Sequence, residues 1–242
     1  MRKDLNYYKQ ELREKEAQIE VLRQIGETIS QTQDLQEVLS SIVEIVSAYF
    51  EADSCFIYLI ENNSLVLRAS QNPHKNLIGK ISLKIGEGIT GWVAKNKKSV
   101  VINEKAFQDE RFKDFPNLPE DKYEAFLSLP IIFKNKIIGV INVQHLKKRE
   151  YNKDRVTFVK MIARQIGGAI DNARLMSETS LLKDALETKK IVDRAKAILI
   201  KRYNLSEDAA HRLLSKKSMD KRKTVKEIAE AIILTEEILV NG

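Results

Sequence analysis

The longest hydrophobic patterns in the chain are helical. Apolar positions at alternating steps of three and four predict a helix over residues 2–30 with the seam of a coiled coil. Its seam positions are Leu5, Tyr8, Leu12, Lys15, Ile19, Leu22, Gly26 and Ile29. An amphipathic pattern predicts a second helix over residues 35–50. Residues 152–203 contain no proline and only one pair of glycines, which predicts a single helix of about fifty residues. Because a helix of that length needs a partner along its side, we expect a parallel coiled-coil dimer.

Shorter apolar runs between these helices predict a sheet. The predicted strands cover residues 55–60, 65–67, 81–85, 99–102, 123–133 and 136–145. Polar turns at residues 61–64 and 134–135 join two pairs of strands into hairpins, and residues 103–122 form a long polar loop. The order of helix, strands, short helix, strands and helix predicts an α+β fold with a mainly antiparallel sheet.

The C-terminal part predicts a three-helix all-α module, formed by the end of the long helix, residues 207–216 and residues 225–240. Ser206 is a suitable N-cap, and Thr224 and Glu227 have the spacing of a capping box. The predicted loop between the two short helices carries a cluster of cations: Lys216, Lys217, Lys221, Arg222 and Lys223. We therefore expect the three-helix module to be basic.

The surplus of positive charge is confined to this C-terminal part. Residues 187–226 contain thirteen Lys or Arg and five Asp or Glu, a net charge of +8, against +7 for the whole chain. Such a localised excess is typical of a surface for a polyanion, but a solvated helical face has the same composition. No apolar run approaches the roughly 20 residues that span a bilayer, and the charged N-terminus lacks the apolar core of a signal peptide. We therefore expect a cytoplasmic protein without membrane contact.

Candidate catalytic chemistry is sparse. A single cysteine, Cys55, excludes an intramolecular disulfide framework and a multi-cysteine zinc site. No acidic partner stands at metal-site or triad spacing from any of the histidines, His74, His145 and His211. Residues 86–91, Gly-Glu-Gly-Ile-Thr-Gly, match the glycine pattern of dinucleotide-binding sites, with Glu104 near the position of a ribose-binding acid, but no further strand-helix-strand unit follows. We expect no metal, no catalytic residue and no enzyme, with a small nucleotide-dependent enzyme as the alternative.

Three segments of the central region form an ordered set of motifs. They are IGEGITGWVAKNKKSVVINE at residues 85–104, DERF at 109–112 and FLSLPIIFKNKIIGVINVQH at 126–145. Together they resemble a GAF domain, a small-molecule sensing module, over about residues 30–175. The resemblance implies a six-stranded antiparallel sheet with helices on one face and a ligand pocket on the other. It also implies dimerisation through flanking helices, which agrees with the two long helices predicted above.

The sequence does not identify the small molecule that such a domain would bind, so the cofactor is unknown. Cyclic-nucleotide-binding GAF domains carry an N-K…F-x-x-x-D-E pattern, whereas here one residue separates Phe107 from Asp109 and Glu110. Bilin-binding GAF domains carry a Cys-His pair, whereas Phe56 follows Cys55. Strand alternation suggests these pocket residues: Cys55, Ile57, Trp92, Tyr123, Phe126 and Ser128. An apolar core explains the same residues equally well.

The sequence KKIVDRAKAILIKRYNLSEDAAHRLLSKKSMDKRKTVKEIAEAI at residues 189–232 resembles an ANTAR domain, the RNA-binding module of bacterial transcription antiterminators. Arg194, Ala195 and Lys196 stand where that family has a basic residue, alanine and lysine. The chain departs from the pattern at Ala197, where glycine is usual. The resemblance implies binding to paired RNA hairpins. The GAF-like domain takes the place of the family's usual phospho-receiver domain, which implies that a ligand supplies the input signal.

The positions of the cations agree with an RNA surface. Lys190, Arg194 and Lys201 fall on one stripe of the long helix. The predicted RNA-binding residues are Lys189, Lys190, Arg194, Lys196, Lys201, Arg202, Arg212, Lys216, Lys217, Lys221, Arg222 and Lys223. Such cations neutralise phosphates, and arginines also stack on unpaired loop bases.

These observations divide the chain into an N-terminal coiled-coil helix at 1–30, a GAF-like sensory domain at 31–175, and a linker helix with an ANTAR-like RNA-binding domain at 176–242. The hypothesis is a homodimeric, ligand-responsive antiterminator, which binds paired hairpins in a nascent leader transcript and prevents the terminator from forming. The alternative is a GAF-type signalling module whose helical tail binds a protein partner. A DNA-binding helix-turn-helix is a variant of the antiterminator hypothesis.

Overall fold

The computed structural model describes residues 2–32, 34–71, 75–113 and 123–240, and the chain divides into two compact units, Met1–Ala173 and Arg174–Gly242. The helices are α1 (Arg2–Gln31), α2 (Leu35–Phe50), α3 (Gly88–Asn96), α4 (Lys153–Tyr203), α5 (Glu207–Lys221) and α6 (Val225–Val240). The strands are β1 (Ser54–Glu61), β2 (Ser64–Gln71), β3 (Ser82–Lys84), β4 (Val100–Ile102), β5 (Ala125–Phe133) and β6 (Lys136–His145). Among the described helices, none combines the length and the apolar character that crossing a membrane requires.

The six strands form one antiparallel sheet in the order β3-β2-β1-β6-β5-β4, which confirms the predicted α+β fold. Two-residue turns close its two central hairpins. Asn62 and Asn63 join β1 to β2 with φ of 46° and 63°, and Lys134 and Asn135 join β5 to β6 with φ of 45° and 64°. Positive φ at both turn residues matches the twist of the paired strands, and asparagine tolerates it better than most residues.

The two faces of the sheet are covered by different helices. One face packs against α1, α2 and the first part of α4, and its core includes Ile25, Ile42, Phe50 and Phe158. The other face packs against α3 through a second cluster that includes Val93. Alternate residues of β1 therefore enter different cores, so that odd-numbered positions face the long helices and even-numbered positions face α3.

Among the described side chains of α1, those on one side pack within the same chain. Val21 and Ile25 of α1 are buried in the core beneath the sheet, although neither belongs to the predicted seam. Of the seam positions whose side chains are described, Tyr8, Leu12 and Ile19 are exposed, and the other four are partly buried. Leu22 and Ile29 pack against the core, and the side chain of Leu5 lies outside the described residues. Lys15 forms an ion pair of 2.9 Å with Asp154 of α4. These contacts lie within one chain, so the coiled-coil dimer stays a prediction.

The second unit contains the end of α4 together with α5 and α6. Its core is small and consists of Ala195, Leu199, Ala210, Leu214 and Ala229, with partly buried aliphatic side chains around them. Small residues at three of these five positions let the helices approach closely, so the short segments pack without a large core.

The helix caps of the second unit are those that the sequence predicts. The Ser206 hydroxyl accepts the N–H of Ala209 at 3.2 Å. The Glu227 carboxylate accepts the N–H of Thr224 at 2.7 Å, and the Thr224 hydroxyl accepts the N–H of Glu227 at 3.2 Å, which completes a capping box.

The end of α5 differs from the prediction. The helix continues to Lys221 instead of ending near residue 216, so three of the five cations assigned to a loop lie on helical turns. Lysine is a good helix former, and no glycine or proline interrupts this segment. Only Arg222 and Lys223 lie in the short connection to α6.

Candidate sensory pocket and nucleic-acid interface

The structure separates the six residues predicted to line a ligand pocket. Cys55 and Ile57 lie on the face of β1 that packs against the long helices, in a fully buried core. Trp92 and Phe126 belong to the cluster beneath α3, and Ser128 also points to that side. Tyr123, the sixth, is buried just before β5. Cys55 and Ile57 therefore lie on the opposite face of the sheet from Trp92, Phe126 and Ser128. Both faces of β1 are apolar, so alternation alone does not say which face meets the helices.

A buried chain of polar side chains runs across the α3 face of the sheet. The Ser128 hydroxyl donates to Oδ1 of Asn142 at 2.6 Å, and Nδ2 of Asn142 donates to the Thr90 hydroxyl at 2.8 Å. All three side chains are buried. Such groups fix the orientation of a ligand that enters an otherwise apolar site. Asn142 and Thr90 are not among the residues predicted from the sequence, although an asparagine inside an apolar strand is a usable signal.

Charged side chains gather beside Trp92 at the edge of this face. The guanidinium of Arg111 lies 4.8 Å from the centre of the Trp92 ring, a cation–π contact. Arg111 also donates two hydrogen bonds to Asp109, at 2.8 and 2.7 Å. These hydrogen bonds lower the pKa of the Asp109 carboxyl and keep it ionised. The arginine is therefore fixed in place beside the aromatic ring.

The glycine motif forms a tight turn into α3. Gly86 and Gly88 have φ of 95° and 67°, and a Cβ on Gly91 would lie 2.6 Å from the carbonyl oxygen of Lys84. The carboxylate of Glu87 pairs with Lys113 and accepts the N–H of Lys84, and both contacts lower the pKa of Glu87. An ionised carboxylate at the start of α3 repels a pyrophosphate, so this geometry disfavours a dinucleotide site.

Among the described residues, the single cysteine and two of the three histidines occupy surroundings that do not suit catalysis. Cys55 is fully buried, and burial raises the pKa of its thiol, which disfavours the reactive thiolate. His145 is buried, with Nδ1 at 2.8 Å from the Tyr151 hydroxyl and Nε2 at 3.0 Å from the carbonyl oxygen of Phe50. His211 is exposed on α5, and His74 lies outside the described residues. Within the described ranges, no three His, Cys, Asp or Glu side chains gather as a metal site would require.

Three of the twelve predicted RNA-binding residues are engaged by carboxylates. Arg194 pairs with Glu237 at 2.8 Å, and Arg202 pairs with Glu236 at 2.6 Å. Lys196 contacts Asp193 at 2.8 Å and Glu207 at 3.0 Å, and its side chain is only 15% exposed. Hydrogen bonds to these two carboxylates raise the pKa of Lys196. Both arginines are paired with residues of α6, far away in sequence.

The other nine cations are exposed, and none takes part in an ion pair found among the described residues. They are Lys189, Lys190, Lys201, Arg212, Lys216, Lys217, Lys221, Arg222 and Lys223. Six of the nine lie on α5 or in the connection that follows it. The cations available to an external anion are thus concentrated on one short helix and its end.

Comparison with known proteins identifies the first unit. Residues 32–171 match the GAF domain family. The chain is 26% identical over 156 residues to the phosphoenolpyruvate-dependent phosphotransferase system protein of Escherichia coli K12, covering 64% of this chain and 21% of that protein. A solved GAF domain of a phosphoenolpyruvate-protein phosphotransferase from Coxiella burnetii has a TM-score of 0.63 at 26% identity, covering 66% of this chain and 96% of that one. The chain therefore spans about a fifth of the full-length relative.

The second unit matches a different family. Residues 181–233 match the ANTAR domain. The transcriptional regulatory protein PdtaR of Mycobacterium tuberculosis H37Rv is 36% identical over 61 residues, which cover 25% of this chain and 30% of that protein. This chain belongs to the GAF domain family, and its GAF domain is followed by an ANTAR domain, a pair of regulatory domains.

Proposed function

We propose that the protein is a ligand-responsive transcription antiterminator that works in the cytoplasm as a homodimer. Its second unit binds paired hairpins in a nascent leader transcript and prevents the overlapping terminator hairpin from forming. The observation that carries the proposal is the group of nine exposed cations on a module that matches the ANTAR family. The domain pair itself supports a regulator and not an enzyme.

The electrostatics of the second unit support binding to RNA phosphates. Lysines and arginines that neutralise phosphates release counterions, which gives high affinity and a strong dependence on salt. Arg212 is exposed on α5 and is long enough to stack on an unpaired base as well. Arg194, Lys196 and Arg202 are assigned to the stability of the module instead, because their charges are already paired.

Two exposed apolar stripes support a dimer. On α1, Tyr8, Leu12 and Ile19 are between 59% and 66% exposed and follow steps of four and seven. In the central part of α4, the leucines at 175, 182 and 186 are between 45% and 72% exposed and follow steps of seven and four. This spacing is that of a coiled-coil seam, and a second copy of the chain presents the matching seam.

The sensory input is assigned to the α3 face of the sheet. The buried polar chain of Ser128, Asn142 and Thr90, with Trp92 and Arg111 beside it, gives a small ligand both apolar contact and fixed polar groups. Ligand occupancy changes the affinity of the second unit for RNA. Native mass spectrometry of the purified full chain tests for a co-purified small molecule, and RNA titrations before and after its removal test the coupling. An affinity that is equal in both states contradicts ligand control.

The test of RNA binding is a fluorescence anisotropy titration of a labelled two-hairpin RNA across a salt series. Wild-type protein should bind this RNA more tightly than duplex DNA of equal length, with an affinity that falls steeply as salt increases. In transcription reactions on a template with both hairpins and a terminator, the protein should increase read-through. Equal affinity for the DNA duplex contradicts the proposal. Salt-insensitive capture of a protein, without RNA, supports the alternative of a tail that binds a protein partner.

A charge-reversal variant sharpens this test. Lys189→Glu, Lys190→Glu and Lys201→Glu together should abolish RNA binding and leave the circular dichroism spectrum unchanged, because all three side chains are exposed. The matched control reverses three exposed lysines of the first unit, at positions 80, 98 and 136, and should retain affinity for RNA. A similar loss of RNA affinity in both variants would show that binding depends on the net charge of the protein and not on this surface.

A further inference from the structure

A groove with a volume of about 400 Å³ opens among the three helices of the second unit. Its lining is largely apolar, because the buried side chains of Leu199 and Leu214 contribute to it together with the partly buried Ile232. Lys217 and Lys221 line it from successive turns of α5, and both belong to the nine exposed cations defined above. The groove is therefore an apolar surface bordered by positive charge.

The other charged residues of the groove neutralise each other. Arg202 and Glu236 both line it and form an ion pair of 2.6 Å. The net charge of the groove is thus that of the two lysines. An occupant that suits both features presents apolar side chains with carboxylates beside them.

The outer side of α6 presents an apolar stripe that nothing else in the described part of the chain covers. The stripe consists of Ala231, Leu234 and Ile238, which follow steps of three and four along the helix. Leu234 and Ile238 are 58% and 64% exposed. Glu227 and Glu230 stand one helical turn before Ala231 and Leu234, and both are exposed. This α6 stripe is therefore apolar with a negative border.

The α6 stripe and the groove lie next to each other on the second unit. Ala231 belongs to both, because it lines the groove and begins the stripe. In a two-fold contact, residue i of one copy meets residue j of the other, and j meets i. Each copy of the chain can thus place its stripe in the groove of the other, with opposite charges facing each other across the contact.

We propose that the second units of two chains associate in this way. Leu234 and Ile238 of each copy pack against the apolar lining of the other copy's groove, and Glu230 faces its two lysines. The contact covers two of the nine exposed cations, so chains that are associated through it bind RNA more weakly. Self-association goes beyond the proposed function, and only this effect on RNA binding rests on that function.

The contact is separate from the leucine seam of α4. At about 3.6 residues per turn, Ile198 and Arg202 of the groove lie on the opposite side of α4 from the leucines at 175, 182 and 186. A chain whose seam is paired therefore keeps its groove open to a further chain. Association through the α6 stripe doubles the number of subunits, whether or not the seam pairs.

The test is sedimentation velocity of the full-length chain, without RNA, over a series of protein concentrations. Leu234→Glu places a charge on the stripe, and Met219→Glu is the matched control, because Met219 is 72% exposed on α5 and does not line the groove. Wild type and M219E should reach twice the subunit number of L234E at high concentration. L234E should raise the dissociation constant at least about tenfold, because each copy loses the burial of a leucine.

A charge swap tests which surfaces meet. Lys217→Glu with Lys221→Glu should weaken self-association, as should Glu230→Lys alone, whereas the triple variant should recover part of it because opposite charges face each other again. Circular dichroism melts establish that all variants are folded. A wild-type chain that keeps one subunit number at all concentrations overturns the inference. An L234E chain that associates like wild type, or a triple variant without recovery, overturns it as well.

RNA titrations separate this inference from the proposed function. At a protein concentration where about nine-tenths of wild-type chains are associated, L234E should bind the two-hairpin RNA about tenfold more tightly than wild type. Equal affinities would show that the contact leaves the two lysines accessible, which overturns the competition with RNA. If none of the proteins binds this RNA, the proposed function fails and the sedimentation result still decides self-association. An L234E chain with wild-type subunit number and weaker RNA binding assigns the stripe to RNA and overturns the inference.

Discussion

Replacing Arg222 with glycine separates the charge of the proposed RNA surface from the stability of the helix that carries it. Arg222 caps α5 with φ 52° and ψ 41°, in the left-handed region. This conformation costs a residue with a side chain about 1–2 kcal/mol, and glycine loses about 0.5–1 kcal/mol more chain entropy on folding. The backbone N–H of residue 222 donates to the carbonyl of Met219, and glycine keeps this bond. Arg222→Gly should therefore raise the free energy of unfolding by about 0.5–1 kcal/mol.

The same substitution removes one exposed cation from the chain. Each phosphate contact contributes about 0.7–0.9 to the slope of log affinity against log salt concentration. At about 0.15 M salt, the loss of one contact corresponds to a four- to sixfold weaker affinity, roughly. Anisotropy titrations of the two-hairpin RNA at several salt concentrations measure both quantities, and denaturant unfolding followed by circular dichroism measures stability.

Lys97→Gly is the matched control for Arg222→Gly. Lys97 is an exposed cation that caps α3 in the first unit with φ 55° and ψ 29°. Its replacement should give the same gain in stability with no change in RNA affinity. An R222G protein with the affinity and salt slope of wild type refutes the placement of Arg222 on the RNA surface. An R222G protein that unfolds more easily than wild type refutes the reasoning about the cap.

Other predictions concern the first unit. Gly91→Ala should lower the free energy of unfolding by about 2 kcal/mol, because its Cβ would meet the Lys84 carbonyl oxygen at 2.6 Å; a thermal melt measures this. Burial lowers the pKa of His145 below its usual 6.5, so the unfolded chain binds the proton first. Stability should fall as pH decreases below about 6.5, and His145→Gln should flatten that dependence in denaturant titrations. The Cys55 thiol should react with a disulfide reagent only after denaturant unfolds the chain, and rapid reaction in native buffer would contradict its burial.

Local chemistry made most elements predictable from the sequence. The two-residue turns at 62–63 and 134–135 stand between alternating apolar runs, and the caps at Ser206 and Thr224 depend on neighbours within three residues. The end of α5 differs from the prediction because lysine favours a helix, and the helix ends only where a residue adopts the left-handed conformation, here Arg222.

The parts of the site that the sequence did not predict depend on distant contacts. Cys55 and Ile57 differ from Phe56 only in the face of β1 that they occupy, and an apolar strand buried on both sides carries no signal for that choice. Pairing of Arg194 with Glu237 joins residues 43 positions apart. The face occupied by each residue of β1 and the Arg194–Glu237 pair both depend on how the helices pack in three dimensions. Local sequence patterns carry no signal for that packing.

The rim of the sheet limits how other chains can attach to the first unit. Its outer strands, β3 and β4, contain three residues each, so each offers few free backbone groups to an incoming strand. A strand from another chain therefore has few backbone groups to pair with at either edge of the sheet. Such pairing is how fibrils and swapped domains form. Association through side chains on helices is the mode of assembly that this architecture leaves open.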